Sequence, residues 1–227
     1  MEIITIDGPA GAGKSTVAKM LAYRLKYLYL DTGAMYRAVA LRAKEQGVDP
    51  EDEGALQRLC RDLEIAFKED EKKQRVICQG VDVTEKIREP EIGWMASTVS
   101  MKCPVRQAMV RLQRKIGAKG KVVAEGRDTG TVVFPRAKYK FFLSAELAER
   151  AQRRHRELIS KGVSIERKKV EEEIRERDEQ DSSRELAPLY PAADARQIDS
   201  TGIPPEEVVE KILDVVQASR GRRSRGD

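Results

Sequence analysis

Gly8-Pro9-Ala10-Gly11-Ala12-Gly13-Lys14-Ser15 fills every fixed position of G-x-x-x-x-G-K-[ST]. It stands between an isoleucine-rich run, Glu2 to Asp7, and the helical periodicity Val17, Met20, Leu21, Leu25. Strand, glycine loop and helix in that order is the setting in which the motif has a mechanism. The glycines let the backbone curl so that successive N–H groups point at phosphate oxygens, and a helix opening near Gly13 adds its positive end to the same spot. Lys14 has the reach for β- and γ-phosphates, and the Ser15 hydroxyl is a candidate ligand for Mg2+. Residues Gly8 to Thr16 are therefore the expected nucleoside triphosphate site.

Reading outward from the loop, Tyr27 to Leu30 is a second strand candidate, and Asp31-Thr32-Gly33 opens a helix that runs to about Glu45 before Gly47 and Pro50. Alternation of strand and helix within fifty residues predicts an α/β fold with a parallel sheet flanked by helices. Leu63 to Thr84 then changes character, with short β-like runs at 63–67, 75–78 and 81–83, and reads as a small β-rich insert. Trp94 to Ile116 reads as helix with a break at Pro104, and Trp94 is expected to pack in the core beside the insert. Val122 to Ala124 and Tyr139 to Leu143 return as buried strands. Ala145 to Arg184 is helical, broken at Lys161-Gly162, with Gln197 to Asp199 a last strand and Pro205 to Val216 a last helix.

Composition narrows the function. The chain has 227 residues, 40% of them hydrophobic, which is one domain's worth of core material. No segment approaches the roughly 20 uninterrupted apolar residues of a membrane helix. The N-terminus lacks the basic start and small-residue cleavage site of a signal peptide, so a cytoplasmic location without membrane association is expected. Three cysteines, Cys60, Cys78 and Cys103, form no C-x-x-C pair and read as reduced small hydrophobes. Charged residues at 36%, against about 25% in average soluble proteins, lean toward a heat-adapted surface. The net charge of +5 is concentrated in the last ten residues, where Arg220, Arg222, Arg223 and Arg225 face one acid, Asp227. Residues 218–227 are thus expected to be a disordered basic tail, and the near-neutral body offers no footprint for nucleic acid.

The phosphate loop does not name the acceptor. The N-K-x-D guanine signature is excluded, because the chain contains no asparagine. Two segments at strand ends carry the arginines a second, anionic substrate needs. Asp31-Thr32-Gly33-Ala34-Met35-Tyr36-Arg37 follows the second strand, and Glu125-Gly126-Arg127-Asp128-Thr129-Gly130 follows the strand at Val122. In open α/β sheets ligands bind at the carboxyl ends of strands. Asp128 has two readings, a base-contacting carboxylate or an ion pair with Arg127 or another neighbour. Arg150, Arg153 and Arg154 have two as well: contacts to a triphosphate or its base, or a solvated helix face with i,i+4 pairs such as Glu146 to Arg150. His155 lacks an acidic or cysteine partner at ligand spacing and reads as a surface residue.

These segments, together with E-R-D-E-Q-D-S-S-R at 176–184 and A-P-L-Y-P-A-A-D-A at 187–195, closely resemble the bacterial cytidylate kinases from Ile3 to about Val216. The resemblance implies a P-loop nucleoside monophosphate kinase of one domain over residues 1–217. Its core would span 1–60 and 100–217, with a helical lid at about 148–184 and the insert at about 61–99 enlarging the monophosphate side. It implies a monomeric enzyme that uses ATP with Mg2+ to phosphorylate CMP and dCMP; a kinase of another small acceptor such as UMP is the alternative. It directs Lys14, Arg127, Arg177 and Arg184 to catalysis and Arg153 to the ATP side. Thr32, Arg37, Ser97, Arg106, Arg127, Asp128, Arg177, Asp181 and Arg184 go to CMP. Ser97, Arg106 and Asp128 would lie near the base and Asp181 near the ribose. Two residues depart from the common family pattern: Glu125, where aspartate is usual, and Thr32, where serine is usual.

Overall fold

The computed structural model describes residues 2–70 and 73–221. They form two compact units, one made of the chain up to Tyr29 and from Gly120 onward, the other of Leu30–Lys119.

The first unit is built on a parallel sheet of five strands in the order β2-β6-β1-β7-β8: β1 Ile3–Asp7, β2 Leu28–Asp31 (its last two residues counted with the second unit), β6 Val122–Gly126, β7 Tyr139–Ser144 and β8 Arg196–Asp199. β1 lies between β6 and β7, with Ile4 opposite Val123 on one side and Tyr139 on the other. Every residue of β1 and β6 is buried, as expected for parallel strands covered on both faces. Helices α1 (Lys14–Leu25) and α8 (Pro205–Gly221) supply part of that cover. Val17 and Leu21 of α1 and Val209 and Ile212 of α8 pack with Ile4, Ile6, Phe141 and Leu143. Helices α6 (Leu147–Ser160) and α7 (Arg167–Ser183) form a hairpin with a small core of its own, Ala151, Leu158, Val170 and Ile174. The His155 ring bonds the carbonyl of Ile165 at 3.0 Å, fastening α6 to the segment that enters α7.

The second unit holds α2 (Thr32–Glu45), α3 (Glu53–Arg61), α4 (Pro90–Val99), α5 (Cys103–Gly117) and an antiparallel three-stranded sheet, β3 Ile65–Asp70, β4 Lys73–Cys78 and β5 Val81–Asp82. The three short runs are strands, as the sequence suggests, and α2 to α5 belong to the same unit. It also extends well beyond the insert expected at 61–99. The cause is local. Asp31 and Asp52 cap α2 and α3 by accepting the N–H of Ala34 and Ala55 at 2.8 and 2.9 Å. Pro104 sits in the first turn of α5, where its missing N–H costs nothing, so the expected break falls just before it, between α4 and α5. Trp94 is 49% exposed and does not belong to a core, contrary to the sequence reading.

α8 continues to Gly221, so residues 218–221 are helical and the expected tail loses its first turn to the fold. The rest of that tail, 222–227, lies outside the described residues. All three cysteines are free thiols, with burial pushing Cys60 up to about 11. Among the described residues no helix is long and apolar enough to cross a membrane.

Candidate active site

The first unit places the phosphate loop at the carboxyl end of β1, leading into α1. Gly8 has φ of 147°, and a Cβ there would fall 1.9 Å from the carbonyl oxygen of Leu143, so β7 lies too close for any side chain. Lys14 is buried, and its Nζ donates to the carbonyl of Pro9 at 2.6 Å. Burial, then the positive charge of Arg127, lowers Lys14 to about 7; Glu125 and Asp181 oppose that shift, and Arg177 adds to it. Ser15 donates to Glu125 Oε1 at 2.6 Å, and the Tyr29 hydroxyl donates to the same oxygen at 2.9 Å. Ser15 and Thr16 are both exposed at the start of α1.

The same unit gathers the acid–base pairs of β6 and α7. Arg127 Nε donates to Asp181 Oδ2 at 2.6 Å, and Arg184 NH1 lies 3.7 Å from Asp181 Oδ1. Burial alone would raise Asp181, but Arg127, Arg177 and Arg184 outweigh it and hold the carboxyl below its usual range. Arg127 is correspondingly held above its ordinary value: the Asp181 and Glu125 charges prevail over burial. Arg127, Arg177, Asp181 and Glu125 all act on the charge of Lys14, so four of the residues singled out from sequence and Glu125 form one electrostatic cluster. Arg184 joins it through Asp181. Asp128 is buried immediately before a turn of π-helix, Thr129–Val133, and Arg127 pairs with Asp181 rather than with it.

The arginines of α6 separate. Arg153 lies beside the loop, since a Cβ on Gly13 would be 3.6 Å from its NH1, and it donates to Ser200 Oγ at 3.1 Å and to the Ser200 carbonyl at 2.6 Å. Arg154 pairs with Glu157 at an exposed position. Arg150 is buried and pairs with Asp178, not with Glu146. Ser200 is a residue that sequence reading missed: buried after β8, it donates to the carbonyls of Ala12 and Ser144 at 3.2 and 3.0 Å.

In the second unit, Thr32 begins α2, and Asp31 just before it accepts from Arg88 NH2 at 3.1 Å. Arg37, Arg88 and the Ala34 N–H overcome the effect of burial and hold Asp31 below its usual range. Arg88 was not picked out from sequence. Arg106 of α5 is buried, donates to the Ser100 carbonyl at 3.3 Å, and stands 5.9 Å from the centre of the Tyr36 ring. Ser100 in turn donates to the carbonyl of Ser97 at 2.7 Å, so Ser97, Arg106 and Tyr36 share one neighbourhood on α4, α5 and α2.

The sequence profile of the family described as cytidylate kinase matches residues 4–218. A cytidylate kinase of Citrifermentans bemidjiense is 50% identical over 99% of this chain and 96% of its own length. Those of Carboxydothermus hydrogenoformans and Bacillus cereus are 49% and 47% identical over 94% of this chain, covering 96% and 95% of theirs. Among solved structures, one described as an uncharacterized protein from Eubacterium ventriosum superposes with a TM-score of 0.54 at 11% identity, covering 96% of this chain and 99% of its own, which is a likeness of fold. A whole-chain profile match, relatives near half identity, and a phosphate loop whose lysine sits among Arg127, Arg177 and Asp181 point one way: the chain belongs to the cytidylate kinase family.

Proposed function

We propose that this protein transfers the γ-phosphoryl group of ATP to the phosphate of CMP and dCMP, giving the diphosphates and ADP. The observation that carries this reading is the cluster of Arg127, Arg177 and Asp181 around Lys14 in a chain of this family, a density of positive charge suited to two phosphate groups brought together. A phosphate monoester is already anionic near neutral pH, so the transfer needs no strong general base; positioning and charge neutralisation carry it. Lys14 holds the transferring group, with Arg127, Arg177 and Arg184 neutralising the equatorial oxygens. Gly8 to Thr16 wrap the triphosphate, and Arg153 serves the ATP side. On the acceptor side Thr32 and Arg37 hold CMP oxygens, and Asp181 takes the ribose. Cytosine presents an amino donor at N4 and acceptors at N3 and O2, so Asp128 accepts from N4 while Arg106 and Ser97 donate to the acceptors.

Among the described residues no cluster of three or more His, Cys, Asp or Glu side chains is arranged to hold a metal. Ser15 and Glu125 do fit an ion that arrives with its nucleotide: a hydroxyl and a carboxylate oxygen 2.6 Å apart are hard donors of the kind Mg2+ accepts beside substrate phosphates and water. When bound there, Mg2+ supplies charge neutralisation on the phosphate oxygens. The Glu125 side chain is positioned by the Tyr29 hydroxyl, which donates to the same oxygen as Ser15.

We further propose that the enzyme acts as a cytoplasmic monomer on free nucleotides, without nucleic-acid or membrane partners. Coupled assay of ADP release with CMP, dCMP, UMP, AMP and a short RNA tests the whole reading. CMP and dCMP should be the preferred acceptors. Absence of CMP-dependent ADP release from folded protein would overturn it, and equal use of UMP would favour the broader pyrimidine kinase.

A further inference from the structure

We propose that Asp178 and Arg150 form a clasp on Ala10 that presets the curl of the phosphate loop and fixes the base of the α6–α7 hairpin to it. Asp178 is then a positioning residue for ATP. The inference rests on the reading of Gly8 to Thr16 as the triphosphate site.

Asp178 stands on α7 and Arg150 on α6, and between them they engage both polar groups of one loop residue. The Ala10 N–H donates to Asp178 Oδ1 at 3.3 Å, and the Ala10 carbonyl accepts from Arg150 NH1 at 3.0 Å. The same NH1 donates to Asp178 Oδ2 at 2.5 Å, which closes the ring, and Arg150 Nε is held by the Ala145 carbonyl at 2.9 Å. The Arg150 side chain is 9% exposed and that of Asp178 21%, so the pair is more than a solvated surface bridge. Gly11 follows with φ of 76°, and a Cβ there would lie 2.9 Å from Arg150 Cβ and 3.0 Å from its carbonyl oxygen. The backbone of α6 therefore rests directly on the loop.

Two consequences follow from this geometry. A segment of glycine and alanine has many conformers to lose when it wraps a phosphate chain, and tethering one peptide at both its N–H and C=O removes much of that loss in advance. The Ala10 N–H is also committed to a carboxylate, so phosphate must be received by N–H groups further along the loop. Asp178 lies next to Arg177 and three residues before Asp181, both of which act on Lys14; the clasp thus also sets where α7 delivers those two side chains. Asp181 keeps an anchor of its own in Arg127, so the clasp bears first on the triphosphate.

The test uses the full chain, with inorganic tripolyphosphate, ATP and CMP as separate probes in calorimetry, and hydrogen exchange of the peptide covering residues 8–15. Asp178→Ala should weaken tripolyphosphate and ATP by about tenfold, the scale of one lost charge-assisted hydrogen bond, while CMP changes by less than about twofold. Exchange of the loop peptide should quicken in the same variant without ligand. Asp178→Asn, which keeps an acceptor for the Ala10 N–H but not the charge facing Arg150, should fall between, and it reads the effect if the alanine variant does not fold. Unchanged tripolyphosphate affinity and unchanged loop exchange in the variants would overturn the clasp. So would an equal loss of ATP and CMP binding. Failure of tripolyphosphate to bind the parent protein would instead remove the triphosphate reading, and the clasp's role with it.

Discussion

Asp7 Oδ1 accepts both the backbone N–H and the hydroxyl of Thr129, at 2.9 and 2.7 Å, so the residue that ends β1 holds the residue that opens the turn after β6. Its second oxygen takes the Gly130 N–H at 2.7 Å. This fixes the exit of the segment carrying Arg127 and Asp128.

Removing that carboxylate should loosen the segment and unbalance the fold. Asp7→Ala leaves buried donors without an acceptor, each costing about 1 to 3 kcal/mol, so its denaturation midpoint should drop well below that of Asp7→Asn. The pH response adds a signature. Burial raises Asp7 to about 6 against an ordinary 3.8, with its three hydrogen bonds working the other way and the Asp128 charge adding a little. Between those values the folded chain keeps a proton that the unfolded chain has released. Stability from this group is therefore full below about 3.8 and is lost as pH rises through about 6. Melting temperature measured from pH 4 to 7 should show that slope in the parent and lack it in Asp7→Asn.

Lys14 should couple ATP binding to proton uptake. Its ligand-free value of about 7 means that it is mostly neutral at pH 8, and phosphate oxygens drawn around it restore the charge. Calorimetry of ATP binding in buffers of different ionisation enthalpy should show uptake approaching about one proton at pH 8, falling as the pH drops through about 7. Lys14→Ala should abolish the uptake and cut turnover by about a hundredfold or more, as for loss of a preorganised donor at a transition state.

Asp128→Ala should raise the Michaelis constant for CMP far more than that for ATP, and CMP should suffer more than UMP. CMP loses the acceptor for its N4 amino group, whereas UMP loses only a repulsive contact. The preference measured as kcat/KM should shrink by about 1.5 to 3 kcal/mol, as for a hydrogen bond to a charged group. Equal losses for both acceptors with a lower melting temperature would assign Asp128 to the scaffold.

Gly8→Ala should be among the most damaging single changes in the chain. The new methyl would overlap the Leu143 carbonyl at 1.9 Å while the backbone sits at φ of 147°. Either the β1 exit shifts, with loss of ATP binding, or the protein fails to fold. A soluble variant with unchanged melting temperature would show that the close approach to β7 is not required.

What could be read from the sequence was the part written in short-range pattern. β1, β6 and β7 are short apolar runs because parallel strands are buried on both faces, and the phosphate loop has fixed spacing. α3 was passed over because only Leu56 and Cys60 are buried in a charged stretch, although Asp52 before it carries a capping signal. The partners that organise the site could not be read, since they are far apart in the chain. Ser200 meets Ala12 across 188 residues, Asp178 meets Ala10 across 168, and Arg88 meets Asp31 across 57. Helical or strand periodicity shows which way a side chain faces, but not which loop comes to meet it. Arg150 illustrates the limit: local spacing offered Glu146, and the fold supplied Asp178.

The position of β1 in its sheet has a bearing on how the chain comes into being. β1 leaves the ribosome before both its neighbours, β6 and β7, which are encoded beyond Lys119, so its hydrogen-bonding edges stay open while the whole of Leu30–Lys119 is being synthesised. The excursion has its own capped helices and hairpin and can gain order first, whereas the sheet must wait for its late strands and then close the long loop between β1 and β6. During that interval the nascent Ile3–Asp7 segment is an exposed apolar strand, the kind of segment that draws chaperones or aggregates when synthesis stalls.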